Sequence, residues 1–398
     1  MHCKCPLSGA KRTFLFAAHM SAFDPKRTSA LVQLIAQNTM HAVLGRKEMA
    51  TKEIEVAVVG GGIGGLAAAI SLRRAGFDVH VYEQSRAMRE VGAGPQVSPN
   101  ASRVLHRLGL ADELAKLGVR PLAVRFVDQR DHVEAEFDNG ANVTAGVLIG
   151  ADGIHSTVRE SLFGLASPHF TGCMAYRGLV PTDRIKDLDV EVNAQIWMGP
   201  GKHIVVYYVA AKRLLNFVGI IEQDTWTRES WTDRGDVKDL RAAFVGWDPN
   251  LRAIIHAIDE TFIWGLFDRA PLPRWSVGRV SLLGDACHPM LPFMAQGAAQ
   301  ALEDGATLTA CLKKYSDVVE ALRRYEALRL PRATHIQGMA RANKIRFHLP
   351  DGSAQRERDA KMAEGGTDWS IKAIAWIYGY DSAAAVDTGD LGLPPWAN

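Results

Sequence analysis

Three consecutive glycines behind a run of valines constrain this fold more than any other feature of the sequence. The stretch is VAVVGGGIGGLAAAISLRRAGFDVHVYEQ, residues 56–84. The apolar run 55–59 is typical of a buried parallel strand. Gly60 permits a tight turn after it, Gly62 lets a pyrophosphate approach the backbone, and Gly65 lets the next helix pack closely on the strand. This pattern predicts a dinucleotide-binding loop.

The residues after the glycines support the same unit. We predict a helix over 66–75, whose N-terminal N–H groups face the phosphates, and a second strand over 78–82. Glu83 follows at the spacing of a carboxylate that bonds ribose hydroxyls, and an acidic residue there disfavours a 2′-phosphate. The alternative is a glycine-rich loop without a ligand, and the unit alone does not separate FAD from NAD.

Composition excludes several other classes of protein. The 398 residues are 47% apolar and 23% charged with a net charge of +2, which gives no electrostatic footprint for nucleic acid or a membrane surface. Five irregularly spaced cysteines predict reduced thiols in a cytoplasmic protein and no metal site. We expect residues 1–50 to be an irregular extension, with Met40 and Met49 as alternative starts and ordered chain from near residue 51.

A second motif follows another apolar strand, 147–150. The text GADGIHSTVRE places Asp152 at the carboxyl end of that strand, where ligands of open α/β sheets bind. Ser156 suits a helix cap, and Arg159 is available to an anionic group. A plain connection between strand and helix would explain the same residues.

A third motif follows the predicted strand 280–283. Gly284 and Asp285 stand at its end, a Pro-rich loop runs over 289–296, and Gly297 starts a helix with apolar residues at helical spacing. A carboxylate at a strand end suits sugar hydroxyls, and the N-terminus of a helix suits an anion such as a flavin ring edge. An aspartate that only bonds its own turn is the alternative.

These three motifs, in this order, resemble the fingerprints of the single-component FAD-dependent aromatic hydroxylases. The motifs are GxGxxG with Glu83, GADGIHSTVR (150–159) and GDACHPMLPFMAQG (284–297). GAGPQVSPNASRVLHRLGL (92–110) and FHLPDG (347–352) resemble the salicylate hydroxylase branch, and the likeness covers about 54–381. The resemblance implies a doubly wound α/β FAD-binding (Rossmann-like) domain, an inserted antiparallel β-sheet substrate domain and C-terminal helices.

The resemblance also implies roles for individual residues. The ADP half of FAD would be held by Gly60, Gly62, Gly65, Glu83 and Gln84. Arg103 would lie near the cofactor, Asp152 by the pyrophosphate and Gly284 and Asp285 at the ribityl chain. The loop from Pro289 to Gly297, which includes Pro292, would border the flavin ring. His288 invites a general-base role, but a structural role is the more usual one for this motif.

The middle of the chain predicts an antiparallel sheet over 171–274, because apolar and polar residues alternate in five segments there. Its aromatic residues either line a pocket for a flat ring or simply pack the sheet. His203 and Tyr207 are four residues apart, so they share one face of a strand at a separation of about 13 Å. A His and a Tyr at this spacing contact substrate in the resembled hydroxypyridine hydroxylases, so we assign both as catalytic candidates, with plain sheet packing as the alternative. Gln96 stands where those enzymes have a histidine, which favours a salicylate-like phenolic acid over a pyridine.

The sequence departs from the family between residue 110 and Asp152. About forty residues stand there, and about sixty residues of the family pattern, with an HR-x-x-L arginine that contacts FAD, are missing. We expect the loss of part of one wall of the flavin site. The predicted domains are the extension 1–50, a shortened first part of the FAD domain 51–170, a substrate domain 171–274, and the rest of the FAD domain with C-terminal helices 275–398.

The resemblance implies a monooxygenase that takes a small phenolic aromatic acid, O₂ and NADH or NADPH, and acts through a flavin C4a-hydroperoxide. No nucleic acid or membrane partner is expected, and a homodimer is compatible with the sequence. Two alternatives stay open: a flavin oxidoreductase that does not hydroxylate, and an FAD-binding chain without activity.

Overall fold

The computed structural model describes most of the chain from residue 52 onward, with two short segments before it. The described residues are 2–5, 12–15, 52–83, 104, 107–108, 133–136, 142–164, 166–188, 190, 194–210, 212–226, 233–363 and 373–397.

Strands and helices are numbered here in chain order. The strands are β1 His2–Cys5, β2 Arg12–Leu15, β3 Lys52–Val59, β4 Val79–Tyr82, β5 Val133–Glu136, β6 Asn142–Gly150, β7 His169–Pro181, β8 Gln195–Gly199, β9 Lys202–Val209, β10 Leu214–Glu222, β11 Asp233–Gly235, β12 Thr261–Asp268, β13 Ser276–Val277 and β14 Val280–Leu282. The helices are α1 Ile63–Arg74, α2 Thr157–Phe163, α3 Val237–Ala243, α4 Pro249–His256, α5 Gly297–Lys314, α6 Val318–Phe347, α7 Ser353–Ala363, α8 Ala375–Tyr378 and α9 Ala385–Thr388. Short 3₁₀ turns cover Thr182–Ile185, Gly284–Ala286 and Pro292–Met294.

The first sheet is the core of the predicted dinucleotide unit. Its order is β13-β14-β6-β3-β4, with β5 antiparallel to β6. The strands β14, β6, β3 and β4 run parallel, in a register that aligns Leu282, Gly150, Val59 and Tyr82. The strand and helix predictions for this unit are confirmed, and β3 and β6 begin earlier in the sequence than predicted.

Small residues let the helices approach this sheet and each other. A Cβ on Gly65 would lie 2.0 Å from the carbonyl oxygen of Gly60, so α1 packs directly on the turn after β3. A Cβ on Gly305 of α5 would lie 2.9 Å from the backbone nitrogen of Ala68 in α1. The side chains of Ala67, Ala68 and Ala69 are fully buried. This close packing explains why both helices carry glycine and alanine at their contact.

The second sheet is the predicted antiparallel insertion. Its order is β11-β12-β7-β10-β9-β8, and every pairing is antiparallel. One face packs on α3 and α4 through a core that includes Phe217, Leu240 and Ile254. The other face packs on the turn Pro292–Met294 and on α6 through a core that includes Trp264 and Phe293. We call the second face the inner face of the sheet, since it looks toward the first domain.

The alternation of side chains along the strands sorts the predicted aromatic residues between these faces. Tyr176, Phe217, Trp197 and Tyr208 belong to the outer core with α3 and α4. Trp264 belongs to the inner core. Packing of the sheet therefore accounts for most of these aromatics.

The sequence predicts a long C-terminal helical stretch over 318–347 whose pattern is broken at Pro331. Its extent is confirmed, and the break at Pro331 is not observed. Helix α6 runs without interruption from Val318 to Phe347. A proline in a helix removes one hydrogen bond and crowds the preceding turn, at a cost of about 3 kcal/mol. Arg329 and Arg332 on either side are both fully buried in ion pairs with Glu303 of α5, and these contacts hold the helical course through the proline.

The described part of the predicted N-terminal extension contains one strand pair, and the extension itself stays a prediction. Strand β1 pairs antiparallel with β2, from His2 opposite Leu15 to Cys5 opposite Arg12. A pairing of four residues depends on backbone hydrogen bonds, which leave little trace in composition. Within the described residues, no helix combines the length and the apolar character required to cross a membrane.

Candidate functional site

The three sequence motifs meet at the carboxyl edge of the first sheet. In the parallel register, Gly60 follows β3, Glu83 follows β4, Ala151 and Asp152 follow β6, and Leu283 and Gly284 follow β14. A Cβ on Gly65 would lie 3.2 Å from the Cβ of Ala151, and one on Gly64 would lie 2.4 Å from Leu283. Motifs far apart in sequence therefore form one site, as open parallel sheets require of a ligand crevice.

The glycine-rich loop has the geometry that a dinucleotide needs. Gly60 has φ +113°, a conformation that favours glycine. Gly61 donates its backbone N–H to Oε2 of Glu83 at 3.0 Å, so the carboxylate lies directly against the loop. Gly62 is the N-cap of α1 and has no capping side chain. The first N–H groups of α1 therefore lie in a glycine-rich turn where only Ile63 carries a side chain, and this turn fits a pyrophosphate.

Asp152 shapes the loop after β6. Its carboxylate accepts from the Ser156 hydroxyl at 2.5 Å and from the Val158 N–H at 3.0 Å, and Ser156 in turn caps α2 by accepting from the Arg159 N–H. Burial raises the pKa of Asp152, and these hydrogen bonds lower it in part. The geometry thus assigns this carboxylate to the start of α2, and its predicted position beside a pyrophosphate stays a prediction.

Asp285 is presented outward from an otherwise buried turn. It is exposed, whereas Gly284, Ala286, Cys287 and His288 are buried. One of its oxygens lies 4.0 Å from the position of a Cβ on Gly297. The carboxylate is therefore adjacent to the N-terminus of α5. Gly284 has φ +66°, which allows the turn. This arrangement fits a sugar-alcohol chain at Asp285 and an anionic group at the N-terminus of α5.

A fully buried ionic cluster supports that turn from behind. Asp304 accepts from the Gly284 N–H at 3.0 Å, from Nε2 of His288 at 2.6 Å and from Nε of Arg329 at 2.8 Å. Burial alone would raise the pKa of Asp304, but His288 and Arg329 hold it below its ordinary value. His288 is 2% exposed and lies within this cluster, and its structural role stays a prediction.

The loop from Pro292 to Gly297 lies between the first domain and the second sheet. Pro292 is exposed, while Phe293 and Met294 are buried against the inner face of the second sheet. Helix α6 holds the loop, because Gln337 donates to the carbonyl of Pro289 at 2.7 Å and Asn343 to that of Phe293 at 3.3 Å.

Both catalytic candidates lie on the inner face. On β9, His203 stands opposite Ile220 and Tyr207 opposite Asn216 of β10. The His203 ring packs on Phe293, with ring centroids 5.2 Å apart. Burial, and then the neighbouring His348, lower the pKa of His203 to about 3. The predicted same-face placement is therefore observed, and the catalytic roles stay predictions.

Two residues that sequence reasoning missed lie beside Tyr207. Arg177 of β7 hydrogen-bonds Tyr207, and its guanidinium lies 5.3 Å from the centre of the Trp264 ring. Burial lowers the pKa of Arg177, and Tyr207 opposes that shift. Asn216 is fully buried, and neither its amide nitrogen nor its amide oxygen has a hydrogen-bond partner. A polar Asn within the apolar run LLNFVGIIE was the available signal.

Gln84 and Arg103, both predicted to contact the cofactor, lie outside the described residues, as does Gln96. The remaining geometry defines a class of fold: a dinucleotide-binding parallel sheet with an antiparallel sheet packed beside it.

Comparison with known proteins agrees with this class. Residues 123–340, just over half of the chain, match the family described as FAD binding domain, and residues 58–88 match an NAD(P)-binding Rossmann-like domain. A 3-amino-4-hydroxybenzoate 2-monooxygenase of Streptomyces platensis is 36% identical, over 84% of this chain and 98% of that protein. A 6-hydroxynicotinate 3-monooxygenase of Bordetella bronchiseptica is 34% identical, over 72% of this chain and 91% of that protein. A salicylate hydroxylase in complex with substrate has the same fold, with a TM-score of 0.72 at 24% identity over 87% of this chain and 99% of the other.

The chain therefore belongs to the FAD-dependent aromatic monooxygenases. It is an enzyme of that type, with FAD as its cofactor.

Proposed function

We propose that this enzyme hydroxylates a phenolic aromatic carboxylic acid, with NADH or NADPH as the reductant and O₂ as the oxygen donor. The observation that carries the proposal is the polar group on the inner face, where Tyr207, Arg177 and the unpaired amide of Asn216 lie together. A buried amide without a partner costs about 1–3 kcal/mol, a cost that a ligand with complementary polar atoms removes.

Each of these groups suits one part of such a substrate. The Arg177 guanidinium and the Asn216 amide nitrogen are donors for a carboxylate. The imidazole of His203 can accept the phenolic proton, whose removal makes the ring electron-rich, and the hydroxyl of Tyr207 can relay that proton. The relatives named above act on hydroxylated aromatic acids, as their names state. These points support the substrate class, and we extend it to this chain as a proposal.

FAD, when bound, would take reducing equivalents from NAD(P)H and activate O₂. Glu83, Asp285 and the loop at Gly60 would hold it at the carboxyl edge of the first sheet. Phe293 and Trp264, both buried on the substrate side, would keep water from the reacting ring. In this proposal the substrate domain extends over residues 171–274, and the FAD domain lies on either side of it in the sequence.

The test uses purified, FAD-loaded enzyme under ¹⁸O₂ with a panel of acids: 3-amino-4-hydroxybenzoate, 6-hydroxynicotinate, 3-hydroxybenzoate and salicylate. We expect one acid to stimulate NAD(P)H oxidation and to yield a product with one ¹⁸O atom on the ring. Hydrogen peroxide without labelled product would instead identify a flavin oxidoreductase. A protein without absorbance near 450 nm, even after addition of FAD, would refute the proposal for this chain.

Arg177→Met tests the carboxylate contact separately. This variant keeps an unbranched, flexible side chain but removes the guanidinium and its charge. We expect the KM for the acid to rise at least tenfold. For a matched substrate with a carboxamide in place of the carboxylate, the KM values of the variant and the wild type should be similar.

A further inference from the structure

Three ionisable side chains form a hydrogen-bonded row from the surface to the inner face. Glu222 ends β10, His348 follows α6, and His203 lies on β9. Oε1 of Glu222 is 3.0 Å from Nδ1 of His348, and Nε2 of His348 is 2.7 Å from Nδ1 of His203. The Glu222 side chain is 45% exposed, whereas that of His348 is 1% exposed and His203 is equally buried. The row therefore joins solvent to a buried imidazole.

The chemistry of its first member fixes the proton positions along the row. An ionised carboxylate only accepts hydrogen bonds, so His348 donates from Nδ1 to Glu222. Nε2 of His348 then carries a lone pair and accepts from the Nδ1–H of His203. Nε2 of His203 is left with a lone pair, as a general base requires.

The surroundings keep both rings neutral. Burial lowers the pKa of His348, Glu222 opposes that shift, and Lys344 adds to it. Lys344 itself donates to the carbonyl of Thr171 at 2.7 Å. Cys173 of β7 also faces this group, and burial raises its pKa to about 11, which keeps the thiol protonated. A neutral His203 is a competent base, but it cannot retain a second proton.

We propose that His348 and Glu222 carry away the proton that His203 takes from the hydroxyl of the substrate. The proposal rests on the function proposed above. The O–H bond of the phenol breaks as an Nε2–H bond forms on His203. The Nδ1 proton of His203 moves to Nε2 of His348, the Nδ1 proton of His348 moves to Glu222, and Glu222 releases a proton to water.

One proton enters the row and one leaves it, and no other reactant is needed. Reprotonation of the product hydroxyl runs the row backwards and restores the starting tautomers. Phe347 and Phe293 pack on the His203 ring at 5.0 and 5.2 Å, so apolar groups flank the imidazole where it meets the row. His348 and Glu222 act through His203 and are positioning residues, while His203 is the catalytic one.

Glu222→Gln tests the row most cleanly. The amide oxygen of Gln can still accept from His348, but it cannot take the proton, and the position is partly exposed, so the fold should tolerate the change. Oxidised, FAD-loaded enzyme is mixed in a weak buffer with 3-amino-4-hydroxybenzoate, or with the panel acid that the wild type hydroxylates in its place. A pH indicator reports proton release, and the absorbance of the bound phenolate reports deprotonation.

We expect the wild type to release one proton per bound acid. Glu222→Gln should slow this release at least tenfold with an unchanged Kd, and Glu222→Asp, which keeps a carboxylate, should recover most of the rate. Glu357→Gln, an exposed glutamate paired with Lys361 on α7, is the matched control and should behave as wild type.

Two results would overturn the relay. One is wild-type proton release in both Glu222→Gln and His348→Gln, and the other is Glu222→Asp as slow as Glu222→Gln. In either case hydroxylation by the wild type would still stand. By contrast, a wild type that neither deprotonates nor hydroxylates any panel acid would refute the proposed function itself.

Discussion

The buried imidazole of His203 is expected to lower the stability of this enzyme at acidic pH. Its pKa falls from 6.5 to about 3 on folding, through burial and then through His348. Between pH 6.5 and about pH 3, His203 is therefore protonated in the unfolded chain and neutral in the folded chain. The free energy of unfolding rises with pH across this window and is lost as pH falls. Between pH 7 and pH 4.5 the loss from this one residue is about 2.5 kcal/mol.

The measurement is the free energy of unfolding from urea titrations at pH 7 and 4.5, for the wild type and His203→Gln. We expect the difference between the two pH values to shrink by about 2.5 kcal/mol in the variant, because glutamine does not titrate. His256→Gln, at the exposed end of α4, is the matched control and should retain the full acid loss. Equal acid losses in His203→Gln and the wild type would refute a neutral, buried His203.

Other variants separate the parts of the flavin site. Gly62→Val should abolish FAD binding while the protein still folds, because its side chain enters the phosphate cradle; stoichiometric flavin in the purified variant would contradict this. Glu83→Ala removes the acceptor of the Gly61 N–H and should weaken FAD by about 1.5–3 kcal/mol in a fluorescence titration. Asp285→Ala should weaken FAD at least tenfold with an almost unchanged melting temperature of the apoprotein, and the opposite pattern would mean that Asp285 only braces its turn. Asp304→Asn breaks a buried ionic cluster and should cost about 3–5 kcal/mol of unfolding free energy, whereas Glu320→Gln at the surface should cost nothing measurable.

Local patterns predicted the parts of this fold that local physics determines. The glycines at 60, 62 and 65 predict a tight turn and a helix packed closely on the preceding strand, and the structure has both. Alternation along the middle strands predicted the antiparallel sheet and the shared face of His203 and Tyr207. These features follow from side-chain period and backbone freedom, which a short window of sequence contains.

Residues whose partners are distant in sequence could not be assigned in this way. Asp304 lies twenty residues from Gly284, and its position inside a helix gives no sign that it holds a strand-end turn. Arg177 and Asn216 can be recognised as neighbours of Tyr207 only when the order of β7, β10 and β9 in the sheet is known. Periodicity gives the face of each strand, but the order of strands depends on the packing of the whole sheet.

The uninterrupted course of α6 through Pro331 bears directly on how the site is assembled. Near its middle, α6 binds the cluster behind the flavin edge through Arg329. Further along it holds the loop that faces the substrate sheet through Gln337 and Asn343, and its end delivers His348 to His203. These contacts span nineteen residues, or about 28 Å of helix, and only an unbroken helix keeps their spacing fixed. The helix therefore ties the position of the cofactor edge to that of the proposed base, so the proline is tolerated where a kink would separate the two halves of the site.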